Sequence, residues 1–318
     1  MRDGLLLVVG LVVLIKGAGF LVEGASVIAS RFGISPLTIG LTVVSLGTSM
    51  PEMLVSLTSA LQNKPDLAIA NVIGSNIANV LLVLGFAAII RPLPVRNSTV
   101  VSEIPFSLSA ALLLGFLANA HLFSEYPELS ISHLDGAILL FFFLLFMLYV
   151  YKTSKIARSP VHRVASGGTM PRSLSLIGLG AAGLYFGGQW VVGGAVGLAQ
   201  SWEINDALIG LTIVAIGTSA PELVASAVAA HRNQADIAVG NIVGSNIFNL
   251  LWVLGLTSSV VELPFEVVSN IDLLVVVGSS TMIILAMVLS RNNTLRRSHG
   301  VFFVGLYIAY LVYVVVRG

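Results

Sequence analysis

Long apolar runs, broken at short intervals by glycine, proline and a few charges, set the pattern of this chain. A helix that crosses a bilayer needs about 20 mostly apolar residues. By that rule the pattern predicts ten spans: Leu5–Ser30, Leu37–Leu61, Leu67–Ile90, Ile104–Ala120, Leu134–Tyr151, Ser173–Gln200, Ala207–Ala230, Ile237–Val260, Ile271–Leu289 and Gly300–Val316. Spans two and seven carry the sharpest interruption. Each sets a glutamate, hydroxyls, a glycine and a proline inside an apolar run, in IGLTVVSLGTSMPE ending at Glu52 and IGLTIVAIGTSAPE ending at Glu222. Spans three and eight follow with NVIGSNIANVLLVLG from Asn71 and NIVGSNIFNLLWVLG from Asn241. Both pairs are offset by 170 positions without a gap (222 − 52 and 241 − 71). The chain therefore divides into residues 1–151, a linker at 152–172, and residues 173–318, with five spans on either side of the linker.

Composition supports the same class. Hydrophobic residues make up 56%, charged residues 10%, and mean hydropathy is +0.97, where a soluble domain carries about a quarter charged residues. The expected fold is an all-α polytopic membrane protein. The apolar start lacks a clear basic segment and an A-x-A cleavage site, so it reads as a first span rather than a signal peptide. There is no cysteine, which excludes disulfides, thiol catalysis and cysteine metal sites. The net charge of +1 gives no reason to expect a nucleic-acid partner. No Walker A sequence is present, so ATP is not expected to drive the protein. No HExxH or GxGD element occurs, and the histidines fall in loops or at span ends. An enzyme and a resident cofactor are therefore not expected, and a monomer is expected to suffice.

Charge in the loops orients the chain. Counted alternately, one set of loops receives Arg31, Arg91, Arg96, Lys152, Lys155, Arg158, Arg163, Arg172, Arg232, Arg291, Arg296 and Arg297; the other receives Arg2, Lys64 and Arg317. Twelve against three places the first set, with the linker, in the cytoplasm and both termini outside the cell membrane. Five spans per half is an odd number, so the second half enters the membrane from the opposite side. Glu52 and Glu222 are then related by a pseudo-two-fold axis in the membrane plane, an arrangement common in secondary transporters.

The motif residues point to a chemistry. A carboxylate in hydrocarbon costs roughly 2.5–3.5 kcal/mol on insertion scales, and this chain places two in register. Pro51 and Pro221 should interrupt their helices and free carbonyls at Ser45, Leu46 and Thr48, and at Ala215, Ile216 and Thr218. Thr48, Ser49 and Glu52, with Thr218, Ser219 and Glu222, add side-chain oxygens within a turn. Ser75 and Asn79 are four apart and share a helix face, as do Ser245 and Asn249. An oxygen-only inventory suits hard cations such as Ca²⁺, Na⁺ or Mg²⁺. Two ionised glutamates balance one Ca²⁺ or two Na⁺; one more Na⁺ makes exchange electrogenic. Other polar residues read as structural: Gly74 and Gly244 as close-packing positions, Asn76 and Asn246 as interhelical contacts, Asp66 and Asp236 as helix N-caps. Lys16 and Glu23 in span one read as snorkelling or interhelical pairs.

The two GTSxPE elements and two GSNIxN elements closely resemble the alpha repeats of the cation/Ca²⁺ exchanger superfamily, in particular its prokaryotic sodium/calcium exchangers. The resemblance covers essentially the whole chain, five-plus-five layout included. It implies exchange of Na⁺ for Ca²⁺ by alternating access, with spans one and six sliding across the core. It implies ion ligands at Thr48, Ser49, Glu52, Ser75 and Asn79, at Thr218, Ser219, Glu222, Ser245 and Asn249, and at the carbonyls of Ser45 and Ala215. One position departs from part of the family: Asn249 stands where some members, the K⁺-dependent ones among them, carry aspartate. That weakens K⁺ co-transport. H⁺ stays open as the counter-ion, although the GNxxE element usual in proton exchangers is absent, and so does another divalent cation in place of Ca²⁺; a channel is the remaining alternative.

Overall fold

A computed structural model describes residues 2–120, 129–156, 169–202, 215–266 and 269–317. It is helical apart from two small ribbons. In chain order the helices are α1 (Arg2–Phe32), α2 (Pro36–Thr48), α3 (Met50–Leu61), α4 (Pro65–Ile90), α5 (Asn97–Ala118), α6 (His133–Ile156), α7 (Met170–Ser201), α8 (Ala215–Thr218), α9 (Ala220–His231), α10 (Ala235–Val260), α11 (Ser269–Leu289) and α12 (Arg297–Arg317). Among the described residues, eight helices are long and apolar enough to cross a membrane, and α2 with α3 makes a ninth as one bent span. The expected span Ala207–Ala230 falls partly outside the described residues, as does most of the linker.

The breaks sit at the prolines. Pro51 has no N–H to offer the carbonyl four residues earlier. Ser49 leaves the helical region, at φ −86° and ψ 4°, and α2 meets α3 at 45°. Ser219 repeats that backbone at φ −86° and ψ 6° between α8 and α9. One carbonyl expectation is corrected. Ser45 is not freed: its carbonyl accepts the Ser49 N–H at 2.9 Å. The repeat extends to the turns that follow, where Asn63 and Asn233 take left-handed backbone at φ 60° and 61°, a region asparagine tolerates. Midway along α4 and α10 the helix widens into π turns, Asn79–Leu84 and Phe248–Val253.

α1 and α7 lie antiparallel along a seam of glycines seven apart: Gly10, Gly17 and Gly24 against Gly180, Gly187 and Gly194. A methyl group on Gly10 would lie 3.0 Å from the Gly187 carbonyl, and one on Gly17 would lie 3.0 Å from that of Gly180. Since Gly180 and Gly187 are the 170-offset counterparts of Gly10 and Gly17, each glycine touches the counterpart of the other. That reciprocity is the mark of a two-fold axis. The seam lies over both breaks: Gly47 faces Leu21, and Gly188 faces Pro221.

Loops pair at the two ends. β1 (Leu93–Pro94) pairs with β4 (Thr294–Leu295), and β2 (Ser130–Ile131) with β3 (Leu263–Pro264), both antiparallel. At the β1–β4 end, Arg96 reaches Asp236 at 2.7 Å, and Arg232 donates to the Gly19 carbonyl at 3.0 Å. Asp66 and Asp236 are not N-caps. Each is the second residue of its helix, after Pro65 and Ala235, and Asp236 serves Arg96 instead. Lys16 and Glu23 are both exposed on α1, so the snorkelling alternative is the one the placement fits.

A third glutamate is buried. Glu103, 2% exposed, starts the long part of α5 after a break at Ser102, and Tyr149 of α6 donates to it at 2.8 Å. The counterpart position, 273, is leucine. Tyr149→Phe removes that donor while keeping the ring. It is expected to destabilise the protein by about 1–3 kcal/mol, read as a lower melting temperature in detergent, with the cation dependence of melting unchanged.

Candidate cation site

The two breaks bring the repeated motifs together at the centre of the helix bundle. α2 lies against α10, which belongs to the other half, because glycines let the backbones approach: a methyl group on Gly40 would lie 2.8 Å from the Ile237 carbonyl, and one on Gly244 would lie 2.7 Å from Ser45 Oγ. The packing role expected of Gly244 is thus seen. Gly74 is different, with nothing within 4 Å of its missing methyl. Asn76 bonds the Val72 carbonyl of its own helix at 2.7 Å rather than a neighbour.

Glu52 and Glu222 are both 0% exposed and lie within electrostatic reach of each other. Ser49, Thr48 and Ser245 lie beside Glu222, and all three are buried, as are Ser75, Asn79, Ser219 and Asn249. Thr218 is half-buried at the end of α8, and Ala215 opens that helix. Ser49 donates to Glu222 Oε1 at 3.0 Å. Thr48 donates to Asn241 Oδ1 at 3.1 Å and lies 3.4 Å from Ser245 Oγ. Ser75 sits beside Glu52.

Buried polar atoms are nearly always paired in folded proteins. Here several atoms of the motif residues are not. Both oxygens of Glu52, Glu222 Oε2, the hydroxyls of Ser75 and Ser219, and the side-chain amides of Asn79 and Asn249 have no hydrogen-bond partner. The two halves differ in one respect: Ser49 donates to Glu222, while its counterpart Ser219 makes no matching bond to Glu52. Every group in the cluster that can bind a cation is an oxygen, and two of the groups are carboxylates. Such a set accommodates a hard cation. Among the described residues no group of three or more His, Cys, Asp or Glu side chains gathers.

Four residues not assigned from the sequence complete the surroundings. Asn71 donates to Ser56 Oγ at 3.0 Å, and Asn241 to Ser226 Oγ at 3.0 Å. The signal was available. Asn71 precedes Ser75 and Asn79 by four and eight positions, on their helix face, and Ser56 and Ser226 each follow a motif glutamate by four.

Fold and site define a multi-pass membrane protein of ion transport. The family model described as sodium/calcium exchanger protein matches residues 4–152 and 172–316, and this chain belongs to that family, among its prokaryotic members. Inner membrane protein YrbG of Escherichia coli is 35% identical over 260 residues, covering 79% of this chain and 78% of YrbG. Sodium/calcium exchanger MaX1 of Methanosarcina acetivorans is 31% identical, covering 97% of each chain. The solved structure of the sodium-calcium exchanger NCX_Mj, soaked with Na⁺ and Sr²⁺, superposes with a TM-score of 0.82 at 32% identity over 98% of both chains.

Proposed function

We propose that this protein is a secondary antiporter that exchanges external Na⁺ for cytosolic Ca²⁺ by alternating access. The observation that carries the reading is the cluster of partnerless buried oxygens around two carboxylates, made by matching residues of the two halves. Its ligands are Thr48, Ser49, Glu52, Ser75 and Asn79, with Thr218, Ser219, Glu222, Ser245 and Asn249, and the carbonyls of Ser45, through its remaining lone pair, and Ala215. Glu52 and Glu222 together balance one Ca²⁺ or two Na⁺. Asn249 adds an oxygen without charge, so the anionic count stays at two.

The architecture of this reading is ten helices in two inverted five-helix repeats, 1–151 and 173–318, joined by a cytoplasmic linker, with both termini outside. Three observations support it: the 170-residue offset of the backbone breaks, the reciprocal glycine contacts of α1 and α7, and the ribbons. Each ribbon joins loops that the charge tally assigns to one side.

The test is a flux assay on protein reconstituted in liposomes with Ca²⁺. An imposed Na⁺ gradient is expected to drive Ca²⁺ uptake, and a pH gradient is not. The reverse result replaces Na⁺ by H⁺ as counter-ion. Conductance without an obligatory counter-ion makes the protein a channel and rejects the reading.

A further inference from the structure

Asn71 and Asn241 are held in one orientation. Asn71 Nδ2 donates both to Ser56 Oγ and to the backbone carbonyl of Glu52, at 3.2 Å. A carbonyl only accepts, so that end of the amide is the nitrogen and Oδ1 faces the other way. In the second half Asn241 Nδ2 points to Ser226, the counterpart of Ser56, and Oδ1 receives the Thr48 hydroxyl. Thr48 belongs to the first half.

Thr48 has one hydroxyl hydrogen and three neighbours that could take it: Asn241 Oδ1 at 3.1 Å, the Ser45 carbonyl at 3.3 Å and Ser245 Oγ at 3.4 Å. The amide oxygen is the shortest of these, and it cannot donate in return. A hydroxyl oxygen ligates a cation through its lone pairs, with its hydrogen turned away. We infer that Asn241 is a positioning residue for the transport site: it takes the Thr48 hydrogen and so holds the Thr48 lone pairs toward the bound cation. Thr48 is thus set by an amide of the opposite half, and that amide is anchored by Ser226, one turn beyond Glu222. Asn71, the counterpart of Asn241, is anchored in the same way, on Ser56. The inference rests on the antiport reading and adds to it the residues that fix ligand polarity.

The experiment is a double-mutant cycle on the full-length protein, reading apparent Ca²⁺ affinity from the Ca²⁺-dependent rise in melting temperature and Ca²⁺ flux in parallel. Asn241→Leu is expected to weaken the affinity about tenfold, the equivalent of one oriented hydrogen bond. Thr48→Val is expected to weaken it to a similar extent, and Thr48→Ser to leave it within about twofold of wild type. In the Thr48→Val background, Asn241→Leu is expected to add nothing, because the hydroxyl it orients is gone. A merely structural asparagine gives effects that multiply instead, and that outcome overturns the inference, as does unchanged affinity in Asn241→Leu alone. If Asn241→Leu does not fold, Ser226→Ala runs the same cycle. Weaker affinity in the chain that keeps Thr48, with no further loss in the Thr48→Val chain, supports the inference; equal losses in both overturn it. Wild-type protein that binds Ca²⁺ without Na⁺-driven flux rejects the antiport reading while leaving the cycle readable.

Discussion

Glu52→Gln and Glu222→Gln are each expected to abolish Na⁺-driven Ca²⁺ uptake in proteoliposomes while the protein still folds. Either change leaves one carboxylate to face a divalent cation in a fully buried site. Breaking a buried charge pairing costs about 3–5 kcal/mol, so Ca²⁺ affinity should fall at least about 100-fold. The effect on the cation-free protein has the opposite sign. Neutralising one of two neighbouring buried carboxylates removes a desolvated charge and its repulsion, so the melting temperature without cations should rise. Glu52→Gln should gain more, because neither Glu52 oxygen has a partner, whereas Glu222 keeps the Ser49 hydroxyl. Melting curves with and without Ca²⁺ check both halves of the expectation. Unchanged flux in either variant removes that glutamate from the site.

How much of this was legible in the sequence follows from which features have a period. The spans were legible because a bilayer demands long apolar runs, and the gathering of Glu52 with Glu222 because the motif recurs at a fixed offset. The breaks at Ser49 and Ser219 were legible from Pro51 and Pro221. Their carbonyl consequences were not, since a carbonyl's partner depends on local backbone angles: Ser45 stays bonded to Ser49. The π turns beginning at Asn79 and Phe248 leave no trace in apolar periodicity, yet they change the helix rotation just past Asn79 and around Asn249. Gly74 and Gly244 look alike in sequence, but only Gly244 meets another backbone, because α10 is packed on every side and α4 is not at that point. Asp66 and Asp236 failed as caps by the same limit, since a cap is defined by where the first turn begins. Asn71 and Asn241 were passed over although they lie in phase with predicted ligands; their hydrogen bonds run to another helix and, for Asn241, to the other half.

The glycine seam gives a prediction with its own control on one helix. At Gly180 an added methyl would lie 2.5 Å from the Leu21 nitrogen and 2.8 Å from the Gly17 carbonyl oxygen. Both are backbone atoms and cannot rotate away, so α1 and α7 must separate. Overpacking of this kind costs about 1–3 kcal/mol. At Gly178, two residues earlier, nothing lies within 4 Å, and alanine there gains up to about 1 kcal/mol of helix propensity. Gly180→Ala is therefore expected to lower the melting temperature and Gly178→Ala to hold or raise it. Transport should divide in the same way. Leu21, which the Gly180 methyl displaces, packs against Gly47 immediately before the break at Ser49, and Gly188 of α7 packs against Pro221 at the other break. A seam forced open by Gly180→Ala thus pulls on both broken spans, and flux per folded molecule should fall along with stability. Lower stability with unchanged flux would reduce the seam to packing alone, and equal effects at Gly178 and Gly180 would mean that the close approach of α1 and α7 does not set the cost.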